Sequence, residues 1–186
     1  METTENLNKA AINNGLIIGI IGSMLGIVTY YVSPAMMGSM FYGIGLALIS
    51  LVLYIVFTLD LRKKIGGYWI FREALKGIFL MAFIAGILSM AVNFLFYKFI
   101  EPGAFEKISG YVSSGLGKTY SNMGMDQEQV DATIAKVLES MKSQFDPGVK
   151  DLLKNLAIAT LVQFIMSLIF AAIFKKNPPI FIPTEE

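Results

Sequence analysis

Hydrophobic and polar positions fall into a few long blocks along the chain. From Ala10 to Leu59 no Asp, Glu, Lys or Arg interrupts the sequence, and further charge-free runs extend from Gly77 to Tyr97 and from Asn155 to Phe174. A soluble domain could not cover such runs with polar surface. A hydrocarbon core demands them, because a charge at mid-membrane costs about 2.5–3.5 kcal/mol. About 20 residues suffice for one crossing, so the first run must fold back on itself. Ser33-Pro34 and Gly38-Ser39, within "VSPAMMGS", mark the place. The pattern predicts an all-α protein, an integral membrane four-helix bundle with spans near 13–32, 40–60, 77–98 and 155–174.

The segment 101–154 changes period. In "MDQEQVDATIAKVLESMKSQF", Asp126 is placed as an N-cap and Glu128 sits in the first helical turn. Val130, Ile134, Val137, Met141 and Phe145 then form one apolar stripe, which Asp146-Pro147-Gly148 ends. A shorter amphipathic piece near 105–120 carries Ile108, Tyr111, Val112 and Leu116, and Ser121 to Gly124 is the turn between the two pieces. This predicts an amphipathic helical segment between spans three and four. It either caps the bundle or lies on the outer leaflet, and its apolar face is also suited to a partner.

Charge sets the expected orientation. Arg62, Lys63, Lys64, Arg72 and Lys76 lie between spans two and three, and Lys175 and Lys176 follow span four. The connection between spans one and two carries no charge, and no arginine occurs in 101–154. Four crossings put both basic segments on one side, which the positive-inside rule makes cytoplasmic. The reading is a bacterial inner-membrane protein with both termini cytoplasmic and 101–154 extracytoplasmic. The N-terminus has Glu2 and Glu5 where a signal peptide would be basic, so an uncleaved first span is expected.

Within "LDLRKKIGGYWIFREALKG", Arg62, Lys63 and Lys64 are expected to anchor span two at the headgroups, with their stems snorkelling. Gly66-Gly67 reads as a flexible turn, Tyr68 and Trp69 as an interfacial aromatic belt, and Glu73 as an i,i+3 partner of Lys76. Arg62, Lys63, Lys64, Arg72 and Lys76 are also the candidate anionic-lipid contacts. The spans carry small-residue seams: Gly15, Gly19, Gly22 and Gly26 in the first, Gly43, Ala47, Ser50 and Tyr54 in the second, and Ala82, Gly86, Ser89 and Asn93 in the third. Close backbone approach drives helix association in lipid, so a tight hairpin of spans one and two is expected. Asn93 and Gln163 are expected to face the bundle interior as polar contacts, by default an interhelical hydrogen bond and otherwise a substrate contact.

Composition narrows the chemistry. The chain has neither cysteine nor histidine, which removes disulfides, thiolate chemistry and the usual general base near neutral pH. A net charge of +1 gives no signal for nucleic acid. Asp60 and Glu101, each at a span end, fall on opposite sides of the expected topology and cannot act as a carboxylate pair. The expectation is a non-enzymatic membrane protein without cofactor, of structural or protein-interaction type. The alternative is a small oligomeric transporter, channel or lipid-handling protein. Expected partners are membrane lipids, a second copy or another membrane protein. The ending "NPPIFIPTEE" reads as a mobile cytoplasmic tail.

"LDLRKKIGGYWIFREALKGIFL", the helical "MDQEQVDATIAKVLESMKSQFDPGVKDLL" and the closing "FKKNPP" together resemble an uncharacterised family of bacterial four-span membrane proteins. That family occurs mainly in Bacteroidota and is numbered four thousand one hundred ninety-nine among the domains of unknown function. Its pattern of a basic stretch, Gly-Gly, an aromatic and then Phe-x-x-Ala corresponds to Arg62-Lys63-Lys64, Gly66-Gly67, Tyr68 or Trp69, and Phe71 with Ala74. The acidic residue that the family often has inside the basic stretch stands here ahead of it, as Asp60. The resemblance implies the four-span topology over roughly 10–176 and carries no activity, cofactor or catalytic residue with it.

Overall fold

A computed structural model describes residues 2–178 and is all-helical apart from one isolated β-bridge; the tail from Pro179 onward lies outside the described residues. The helices are α1 (Glu2–Val32), α2 (Met40–Lys64), α3 (Phe71–Leu95), α4 (Ala104–Asn122), α5 (Gln127–Phe145) and α6 (Val149–Phe174). A 3-10 turn, Pro34–Gly38, joins α1 to α2, and α3 runs on into a π-helical turn, Phe96–Ile100. Asn6–Val32, Met40–Lys64, Phe71–Ile100 and Val149–Phe174 are long and apolar enough to cross a membrane. Proline at the start of the 3-10 turn breaks the long apolar run at the place its sequence marks.

The four long helices pack in the order α2, α1, α3, α6, with α1 on α3 as the central pair. The Gly15 and Gly19 face is turned to α3, not to α2 as the hairpin expectation had it. An ideal Cβ on Gly15 would stand 2.5 Å from the Met81 carbonyl oxygen, and one on Gly19 would stand 3.0 Å from that of Ala85. Periodicity identifies a face able to approach a backbone but not which backbone it meets. Gly43, Ala47 and Ser50 are exposed on α2, and a Cβ on Gly43 would meet nothing within 4 Å.

Two apolar clusters hold the chain together at opposite ends. One gathers Leu7, Ala11, Leu61, Trp69, Ile78 and Met81, with Phe170 and Ala171 of α6. There α2 and α6 meet, with the Tyr54 and Phe170 rings edge-to-face at 6.4 Å. The other gathers Tyr30, Phe96, Ala104, Ile108 and Val112, and joins the far ends of α1 and α3 to α4. In that second region α4 lies against the 3-10 turn, backbone to backbone. A Cβ on Gly38 would collide with the main chain at Tyr111, and one on Gly115 would collide with the Gly38 carbonyl.

Candidate functional site

At the end formed by Leu61, Trp69 and α6, the basic stretch is tied into the fold. Gly66 (φ +100°) and Gly67 (φ +86°) occupy the left-handed region and turn the chain sharply after α2. Trp69 is thereby buried at 1 % exposure, which corrects its assignment to an interfacial belt; Tyr68 is exposed. The Trp69 Nε1–H donates to the Phe174 carbonyl at 2.8 Å, and Trp69 and Lys176 exchange backbone hydrogen bonds at 2.9 and 3.0 Å. Phe174 ends α6, where carbonyls have no partner within the helix. Arg62 Nη1 approaches the same oxygen at 3.4 Å, adding a cation at the negative end of the helix dipole.

Asp60 and Lys64 pair at 2.6 Å, and Asn14 joins them from α1. The Asn14 Nδ2–H donates to Asp60 at 2.8 Å, and its Oδ1 accepts from Lys64 at 3.2 Å. Asp60 and Lys64 are one helical turn apart, the spacing that could have been read from sequence. Asn14 carried no such signal. Glu73 does not pair with Lys76. It reaches back to accept the Ile70 N–H at 3.0 Å, because the first N–H groups of α3 need an acceptor. Lys63, Arg72 and Lys76 are exposed.

At the opposite end, Glu101 fastens three elements. Its carboxylate accepts from the hydroxyls of Tyr31 at 2.8 Å and Tyr30 at 2.9 Å, while the Lys107 ammonium stands 4.3 Å from the Tyr30 ring centre. The two tyrosine hydroxyls, with Lys107 nearby, hold the Glu101 carboxyl below its ordinary value of 4.5. Lys98 and Asp146 form an ion pair, and the Tyr97 and Phe145 rings lie 4.2 Å apart, so the end of α5 is fixed to the π-helical turn. Asp126 caps α5 by accepting from the Gln129 N–H at 2.9 Å.

Between these attachments lies a cavity of about 920 Å³. Ile108, Val112 and Leu116 of α4, with Val137, Met141 and Phe145 of α5, form its roof. Part of each stripe recognised in the sequence therefore faces this space, while Tyr111, Val130 and Ile134 do not line it. Its floor and sides come from Gly22 and Gly26 of α1, the start of α2, the end of α3 and the start of α6. Asn93 lines it. Gln163 does not; its amide lies over Gly86, in the contact of α6 with α3, so the two polar residues singled out in the spans are not brought together. Among the described residues lining the cavity none is charged. The neutral polar groups there include Tyr42, Asn93, Gln144 and Asn155, and the Tyr42 hydroxyl is buried without a hydrogen-bond partner. Among the described residues, no group of three or more His, Cys, Asp or Glu could hold a metal ion.

Four apolar helices of crossing length, joined by short basic and helical connections, define a multi-span membrane protein. The chain belongs to the family described as "Protein of unknown function (DUF4199)", which matches residues 13–176. No curated protein and no solved structure matches it.

Proposed function

We propose that this is a non-enzymatic membrane protein that holds an apolar molecule beneath a helical cap. It crosses the membrane four times, with both termini cytoplasmic and α4–α5 outside. Arg62, Lys63, Lys64, Arg72 and Lys76, with Lys175 and Lys176, support that orientation because they gather at one end of the spans. Lys63, Arg72 and Lys76, exposed there, meet anionic headgroups. The observation that carries the reading is the charge-free cavity of about 920 Å³, which is within the range of sites that enclose small molecules. Cap helices that served only as a lid on packed spans would have no reason to leave such a space.

The test is binding of a neutral solvatochromic dye to the purified protein. Gly26 lines the cavity, and a Cβ there meets nothing within 4 Å, so Gly26→Phe is the variant used to fill it. Saturable binding that is lost in Gly26→Phe is expected; equal binding by both proteins would refute the reading. A second reading, assembly into a homo-oligomer or with a membrane partner, is favoured by the exposed Gly43, Ala47 and Ser50 face of α2. Crosslinking in native membranes that returns only monomer would remove it.

A further inference from the structure

We propose that the molecule held in the cavity is an uncharged lipid of the acylglycerol class, an apolar chain ending in a small neutral hydrogen-bonding group, which enters sideways between α2 and α6. This inference rests on the cavity reading above and adds the chemistry of the guest.

Charge is the first argument. A phosphate or carboxylate brought into a space without charged lining would remain unpaired, which in a low-dielectric setting is strongly unfavourable. Nearby, Glu101 is engaged with Tyr30 and Tyr31, and Lys98 with Asp146. A neutral headgroup has no such penalty, and it finds partners. Asn93, Gln144 and Asn155 place amides around the same space. A ligand hydroxyl or ester that bonds one of these amides is therefore selected over plain hydrocarbon.

Size and walls are the second argument. The space is about 920 Å³ and most of its lining residues are apolar, which suits a hydrocarbon chain. Met37, Met90, Met123 and Met141 supply flexible, polarizable side chains that adapt to chains of different shape.

Access is the third. α2 and α6 are the outer members of the helix row; they touch at Tyr54 and Phe170 near one end, and both line the cavity near the other. Their flanks beside the cavity expose Met40, Phe41 and Ile44 on α2 and Leu153 and Ile158 on α6, surfaces suited to lipid. On the side toward α4, the 3-10 turn meets that helix backbone to backbone at Gly38 and Gly115.

The experiment uses the full chain in zwitterionic phosphatidylcholine nanodiscs with three diazirine probes of equal chain length: a monoacylglycerol, a fatty acid and a lysophosphatidate. Crosslinked peptides are mapped by mass spectrometry. The monoacylglycerol is expected to label the Met141 and Asn155 regions, to lose that labelling in Gly26→Phe and Ala159→Phe, and to weaken about fivefold in Asn93→Leu, the equivalent of one ordinary hydrogen bond. The anionic probes are expected to label only lipid-facing positions such as Val52 and Ile165, equally in all variants. Cavity labelling by the anionic probes as strong as by the monoacylglycerol overturns the neutral-lipid inference and leaves the cavity reading standing. Cavity labelling by no probe overturns both. Both cavity-filling variants are first matched to the parent by thermal unfolding, and Asn93→Leu, which removes one amide at similar size, carries the test if either fails to fold.

Discussion

Replacing Gly15 by alanine puts a Cβ 2.5 Å from the Met81 carbonyl oxygen and 2.9 Å from Ile84 Cβ, where ordinary contact begins near 3.4 Å. The nearest atom is backbone, so α1 and α3 must part or tilt by about the 0.9 Å difference. Overpacking of this kind costs about 1–3 kcal/mol. Alanine's better helix propensity returns about 0.5–1 kcal/mol, for a net loss of up to about 2.5 kcal/mol. At Gly19 the nearest backbone oxygen is 3.0 Å away, so a smaller loss is expected. At Gly26 and Gly43 a Cβ meets nothing within 4 Å, and alanine should be neutral or stabilise by about 0.5–1 kcal/mol. The assay is unfolding in mixed micelles titrated with dodecyl sulfate and followed by circular dichroism. The expected order of stability is Gly15→Ala below Gly19→Ala below Gly26→Ala and Gly43→Ala. Equal losses at Gly15 and Gly43, or none at Gly15, would refute the packing of α1 on α3.

Further outcomes follow from the two ends of the molecule. Trp69 is the single tryptophan and is buried, so native emission should be blue-shifted and poorly quenched by acrylamide; red-shifted, quenchable emission would contradict its place in the core. Glu101 titrates below 4.5 in the folded protein, so its contribution is complete above its unfolded value and disappears as pH falls through the depressed folded one. Stability should therefore drop as pH falls below 4.5, and Glu101→Gln should flatten that drop; an unchanged profile would count against the clasp. Gly38→Ala should push α4 off the 3-10 turn and make α4–α5 sensitive to limited proteolysis, whereas Gly26→Ala should not.

Hydrophobic block length carried most of the fold, because lipid imposes a length on every crossing. The α5 stripe and its Asp126 cap were equally legible, since both are local. Contacts between distant segments were not. The glycine seam in α1 showed a face suited to close approach, and only the assembled helices direct it to α3. Trp69 reads as interfacial when only its neighbours in sequence are considered, and the Gly66-Gly67 turn carries it inward to the end of α6. Glu73 had two partners at hand, and the unpaired Ile70 N–H won over an exposed lysine. The cavity had no signature, because periodicity in α4 and α5 marks an apolar side without saying whether protein or space lies beyond it.

The chain has no cysteine, so single cysteines report membrane sidedness cleanly, and labelling of intact bacterial cells with an impermeant maleimide tests the arrangement most directly. Cysteine at Ser121, in the last turn of α4, should react from outside, and cysteine at Lys63, at the end of α2, should react only after the membrane is opened. Reaction of Lys63→Cys from outside with Ser121→Cys protected, or equal reaction of both, would contradict an external cap over an outward-lying cavity.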